Sequence, residues 1–175
     1  MGGHSRGHRG NTIEWYTPPG IFEALGLTFD LDPCAPPGGL PWIPARRFYS
    51  LEDDGLSKAW SGRVWMNPPY GPHTALWMRR LAAHGDGIAL VFARTETAWW
   101  NDSVPAAHAV CFIAGRLTFV DADRQPPRAN AGAPSALVAY GQECAEAIAA
   151  ARLGMTFAIR ARGLDGQASL WESAA

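Results

Sequence analysis

Three cysteines in 175 residues, Cys34, Cys111 and Cys144, stand far apart with no Cys-x-x-Cys pair. This spacing supports neither a disulfide framework nor a zinc site, so all three read as reduced and structural. The five histidines, His4, His8, His73, His84 and His108, also lack metal-ligand spacing, and no metal is expected. No apolar stretch approaches the roughly 18 residues needed to cross a bilayer, and Met1-Gly2-Gly3-His4-Ser5-Arg6 has no apolar signal-type segment. A soluble, cytoplasmic protein without a membrane partner is the expectation. Basic excess is missing too: 15 Lys and Arg against 16 Asp and Glu give a formal net charge of −1. Bulk charge therefore gives no basis for indiscriminate nucleic-acid binding. Local clusters must supply any such affinity, and the candidates are Arg46-Arg47, Arg79-Arg80, Arg124 and Arg128 in a Pro-rich loop, and Arg6 and Arg9. Singly, each reads as an ordinary solvated residue.

What is present suits one domain with a substantial core: 47% hydrophobic residues, including eight Trp. Residues 1–12 read as a flexible tail, 13–162 as a single domain and 163–175 as a loosely ordered tail. Thr17-Pro18 predicts an N-cap and first-turn proline, followed by a short helix that shows Ile21, Phe22 and Leu25 on one face and stops at Gly26. Leu27 to Leu31 reads as a strand ending at Asp32-Pro33-Cys34-Ala35-Pro36-Pro37-Gly38-Gly39. Leu40 to Lys58 carries no assignable pattern. Further strands are expected at Arg63–Met66, Gly87–Ala93, Ala109–Ala114, Leu117–Val120, Ser135–Tyr140 and Met155–Arg160. Helices are expected at His73–His84, around Trp99-Trp100, and at Gln142–Leu153. This alternation implies an α/β sheet covered on both faces. Ligands in such sheets sit outside the carboxyl ends of the strands, where Asp32, Asn67 and Arg94 would share one cleft.

Asn67-Pro68-Pro69-Tyr70 follows the apolar run Val64-Trp65-Met66 and precedes Gly71. With Pro near 5% of residues, chance yields such a tetrapeptide in on the order of one chain of this length per thousand or fewer. A planar amino group, such as that of adenine, is a weak nucleophile because its lone pair is delocalised into the ring. Two acceptors binding its two hydrogens draw the nitrogen toward tetrahedral geometry and strengthen as positive charge develops. The Asn67 amide oxygen and the Pro68 carbonyl can be those acceptors. Pro69 keeps Pro68 extended, and Tyr70 offers a flat face to a base that has left its stack. Read otherwise, Pro-Pro-Tyr is a turn or a docking peptide. The docking reading fits poorly after what looks like a buried strand.

The ordered set Glu14-Trp15-Tyr16-Thr17-Pro18, Phe29-Asp30-Leu31-Asp32-Pro33-Cys34-Ala35, Asp54-Gly55-Leu56 with Trp60, Trp65-Met66-Asn67-Pro68-Pro69-Tyr70-Gly71 and Gly115-Arg116-Leu117 resembles the phage-type, Dam-like DNA N6-adenine methyltransferases. The resemblance covers about Glu14 to Tyr140. It implies an α/β, Rossmann-like class I S-adenosylmethionine-dependent methyltransferase fold, with a compact, mostly parallel central sheet and helices on both faces. It further implies S-adenosylmethionine as cofactor and methyl transfer to the N6 amino group of adenine in double-stranded DNA. Asn67, Pro68 and Tyr70 would be catalytic. Tyr16, Thr17, Pro18, Asp32, Cys34 and Asp54 would bind the cofactor, whose positive groups welcome a carboxylate. Pro69, Arg94, Thr97 and Arg116 would meet the substrate, with Thr95 beside them.

Two departures mark this chain. Pro36-Pro37-Gly38-Gly39 stands where a Gly-rich cofactor loop is usual, and no acidic residue for the cofactor ribose is evident, Glu52 or Asp53 being the available substitutes. The same site chemistry would suit RNA adenine or a protein glutamine, and a catalytically inactive DNA-binding domain is the non-enzymatic alternative. A monomer or weak dimer in bacterial or phage-infected cytoplasm is expected. Base reading would fall to segments 36–50 and 121–134, while the recognition sequence and purposes such as masking DNA from restriction stay open.

Overall fold

The computed structural model describes residues 16–121 and 131–159. Glu14, Trp15, Arg6, Arg9, Arg124, Arg128 and the two expected tails lie outside the described residues.

Among the described residues, seven strands form one sheet in the order β2-β1-β3-β4-β6-β5-β7. They are β1 (Phe29–Asp32), β2 (Ala45–Phe48), β3 (Val64–Met66), β4 (Gly87–Phe92), β5 (Ala109–Ile113), β6 (Ser135–Tyr140) and β7 (Gly154–Ala158). The pairings β2-β1, β1-β3 and β3-β4 are parallel, whereas β4-β6, β6-β5 and β5-β7 are antiparallel. Strands β1 to β5 thus point one way and β6 and β7 the other. The sheet is mixed, parallel only in its β2-to-β4 half.

Side chains alternate across the pleat, so each inner strand feeds two cores. Val64 and Met66 of β3, with Ala89 and Val91 of β4, pack against α2 (Thr74–His84) and α3 (Ala98–Ser103) through Trp77, Met78, Leu81 and Trp100. Trp65, Ile88 and Leu90 face the opposite side, where α1 (Pro19–Leu25) and α4 (Gln142–Ala150) bring Ile21, Phe22, Leu25, Cys144 and Ile148. Both faces are therefore covered, as the alternation of elements predicts. Gly87, where β4 starts beside β3, has φ 155°, and a Cβ there would lie 2.4 Å from the Val64 carbonyl oxygen. Only glycine permits that approach.

Four expectations are corrected, the first being the mostly parallel sheet, because only three of its six pairings are parallel. Pro18, not Thr17, is the α1 N-cap; Thr17 is buried and its hydroxyl has no partner among the described residues, while its carbonyl accepts the Trp42 indole N–H at 3.0 Å. Leu117–Val120 is not a strand, because β5 already has β6 on one side and β7 on the other. Val120 instead makes an isolated bridge to Tyr16, with N···O distances of 2.9 and 3.0 Å. Helix α4 stops at Ala150 rather than Leu153, the chain turning through Arg152 at φ 52°. The unassigned stretch holds β2 and a 3-10 turn at Leu51–Asp53.

Strand β1 has β2 on one flank and β3 on the other. Connections leaving the carboxyl ends of β1 and β3 diverge there and open a crevice, the usual ligand position in such sheets.

Candidate active site

A cavity of about 590 Å³ occupies that crevice. Its walls are the loop Pro33–Pro37 after β1, Ser50, Leu51, Asp54 and Gly55 after β2, Asn67–Tyr70 after β3, Tyr16, and Trp77 from α2. Carbon dominates this lining.

Strand β3 ends in fully buried Met66 and delivers half-buried Asn67 and buried Pro68 to the cavity. The loop is then pinned to α2 by Thr74, a residue that no sequence motif singles out. Its hydroxyl donates to the Pro69 carbonyl at 3.0 Å and accepts the Gly71 N–H at 3.1 Å. The Tyr70 hydroxyl donates to Asn67 Oδ1 at 3.3 Å, and although the residue as a whole is partly exposed, desolvation by the surrounding protein raises its pKa above the ordinary tyrosine value. One face of the Tyr70 ring lies on Phe92, with centroids 4.0 Å apart and planes 11° from parallel, and Phe119 meets it edge-on at 6.4 Å. The flat face expected of Tyr70 is therefore available on one side only.

Asp32 ends β1 but does not line the cavity. It is buried, its Oδ1 accepts the Cys34 N–H at 3.0 Å, and burial pushes its pKa up to about 7 against the pull of that bond. Cys34 does line the cavity. Burial, and then the neighbouring Asp32 charge, raise its pKa, so its thiol stays neutral. Asp54 supplies an exposed carboxylate to the wall from a left-handed backbone, φ 53°. Neither Glu52 nor Asp53 reaches the cavity. The Asp53 carboxylate is held below its ordinary pKa by the backbone N–H and then the hydroxyl of Ser50, at 2.8 and 2.9 Å. Ser50 stands on the wall in its place.

Gly55 explains the Asp54-Gly55 pair. A Cβ there would lie 2.3 Å from the Pro33 carbonyl oxygen, so the β1 and β2 loops close on each other only around glycine. The Trp60 indole N–H donates to the Gly55 carbonyl at 2.8 Å, while its ring stacks 6.2 Å from Trp77 and carries the Arg80 guanidinium at 5.2 Å. This stack anchors the β2 loop to α2.

A family model described as DNA N-6-adenine-methyltransferase (Dam) matches residues 5–152, a span that includes every wall of the cavity. The chain belongs to this family. Its activity is accordingly DNA N6-adenine methylation, and the family implies S-adenosylmethionine as methyl donor. No curated protein sequence matches the chain.

The remaining residues named from this methyltransferase's sequence divide by position. Tyr16 is on the cavity wall, whereas Thr17 and Pro18 are not. Arg94 is exposed beyond the carboxyl end of β4, 3.8 Å from Glu96. Thr97 is the α3 N-cap residue and its hydroxyl donates to the Arg94 carbonyl at 2.7 Å. Arg116, exposed after β5, donates to the Ala131 carbonyl at 3.4 Å. Arg94, Thr97 and Arg116 follow strands that end at the cavity's side of the sheet, but none forms its wall. Among the described residues no cluster of three His, Cys, Asp or Glu could hold a metal, and no helix is long and apolar enough to cross a membrane.

Proposed function

We propose that the crevice between β1 and β3 binds S-adenosylmethionine, and that Asn67 and Pro68 receive the amino group of an adenine extruded from double-stranded DNA. The observation that carries this reading is the placement of the Asn67–Tyr70 corner on the wall of the cavity, at the switch point of the sheet. The parallel β2-to-β4 half and the two-faced helical cover support a Rossmann-like class I fold. A volume of about 590 Å³ lies within the 300–1,000 Å³ typical of small-molecule sites. Apolar walls at Pro33, Ala35 and Leu51 suit a nucleoside, and the Asp54 carboxylate suits a positively charged ligand.

The cofactor supplies an electrophilic methyl group on sulfur. Asn67 Oδ1 accepts one amino hydrogen and the Pro68 carbonyl, which takes no hydrogen bond from the described residues, accepts the other. Both bonds tighten as the nitrogen becomes cationic, so the corner favours the transition state over bound substrate. Asp32 and Cys34 hold the β1 loop in shape, and Ser50 and Asp54 face the ligand. Tyr70 presents its ring to the base.

The test is methylation of purified DNA and RNA with labelled S-adenosylmethionine, followed by nucleoside analysis. N6-methyladenine should form in DNA. Asn67→Ala should lower the rate about 10² to 10³-fold while S-adenosylmethionine still gives binding heat in calorimetry; near-full activity in that variant would reject the assigned role.

A further inference from the structure

Phe92 is the last residue of β4, and it falls within no motif of the sequence reading. It is set in the sheet opposite Ser135 of β6, so its backbone is fixed by strand pairing rather than by a loop. Its ring lies flat on Tyr70 at 4.0 Å and 11°. Tyr70 lines the cavity and Phe92 does not, which puts Phe92 behind Tyr70 as seen from the ligand. Three contacts then fix the tyrosine: Phe92 sets the plane, the 3.3 Å bond to Asn67 Oδ1 sets the rotation within it, and Phe119 closes an edge. A stacked layer needs about 3.5 to 4.0 Å, so no base fits between the two rings as they stand. The face turned away from Phe92 is the one left to receive a base.

We propose that Phe92 is a positioning residue of the base site, a backing plate that holds Tyr70 in the orientation from which its opposite face stacks on the extruded adenine. This rests on the function proposed above and deepens it. Without a flat partner, Tyr70 gains freedom in an exposed loop, and part of the stacking that stabilises the unstacked base goes into reordering the ring. The loss falls on DNA use and leaves cofactor binding untouched.

Wild type, Phe92→Leu, Phe92→Met and Phe92→Tyr are compared by steady-state methylation of unmethylated bacterial DNA and by calorimetry with S-adenosylmethionine. The Leu and Met variants should lose about 3- to 10-fold in kcat/KM for DNA, with cofactor affinity within about twofold of wild type. The Tyr variant, which keeps a flat ring, should retain wild-type kcat/KM. The Met variant preserves adaptable bulk and serves if the Leu variant does not fold. Wild-type rates in the Leu and Met variants overturn the proposal, as does a Tyr variant no better than Leu. Joint loss of cofactor binding also overturns it, because Phe92 would then act through the fold. An inactive wild type would reject the parent reading too, whereas the other adverse outcomes leave that reading standing.

Discussion

Among single residues, Asp32 has the clearest consequence for pH. Its carboxyl is buried and its pKa rises from 3.8 to about 7 in the folded protein, whereas the unfolded chain titrates near the lower value. Between those two values the folded state holds a proton that the unfolded state has released, so stability falls as pH rises from about 4 to about 7 and then levels. Asp32→Asn removes that loss. It should melt above wild type at pH 8, by up to about 4 kcal/mol, and close to wild type at pH 4; equal melting at both values would show that the acid is not buried as described. At this scale the sequence revealed what a motif carries: Asn67 to Tyr70, Tyr16, Cys34 and Asp54 all reach the cavity. Ser50, Leu51 and Trp77 do not announce themselves, since each enters the wall only because distant loops converge. Asp32 stood at the right strand end, yet its side chain points into protein. A strand's period gives residue order, but not which side chain turns toward ligand after the last ladder bond.

Elements were legible where burial leaves a pattern. Strands β3, β4 and β6 are continuous apolar runs because both faces are covered, and their limits fall within a residue of expectation. Strand β2 was not legible: Ala45-Arg46-Arg47-Phe48 lies at the sheet edge, largely exposed, so burial imprints no alternation on it. The Leu117–Val120 error has the opposite origin, an apolar run whose potential partners were already taken. The turn after β2 offers a test at this scale. In Gly55→Ala the new methyl group meets the Pro33 carbonyl oxygen at 2.3 Å, and the β1 and β2 loops must part. Affinity for S-adenosylmethionine measured by calorimetry should drop about 10-fold or more, a loss of roughly 1.4 kcal/mol or above in contacts with the parted loops. Unchanged affinity would mean that those loops do not form the cofactor wall.

Taken whole, the molecule divides its labour across the sheet. The parallel half carries the cavity, and the antiparallel strands β6 and β5 extend the two cores on which it rests, with β7 outside them at the edge. A ligand seated among β1, β2 and β3 loops joins segments far apart in the chain, so saturating S-adenosylmethionine should stabilise the entire fold. At 100 times its dissociation constant the gain is about 2.7 kcal/mol, which for a chain of this length should raise the melting temperature by roughly 5 to 10 °C; no shift at that concentration would place the donor elsewhere. Strand β7 contrasts with this. It pairs with β5 alone among the described strands, and Met155 and Phe157 stand 68% and 52% exposed on it. Its amides should exchange with deuterium well before those of β3 and β4, with or without donor, because fraying at this outermost strand leaves the reacting corner four ladders away undisturbed.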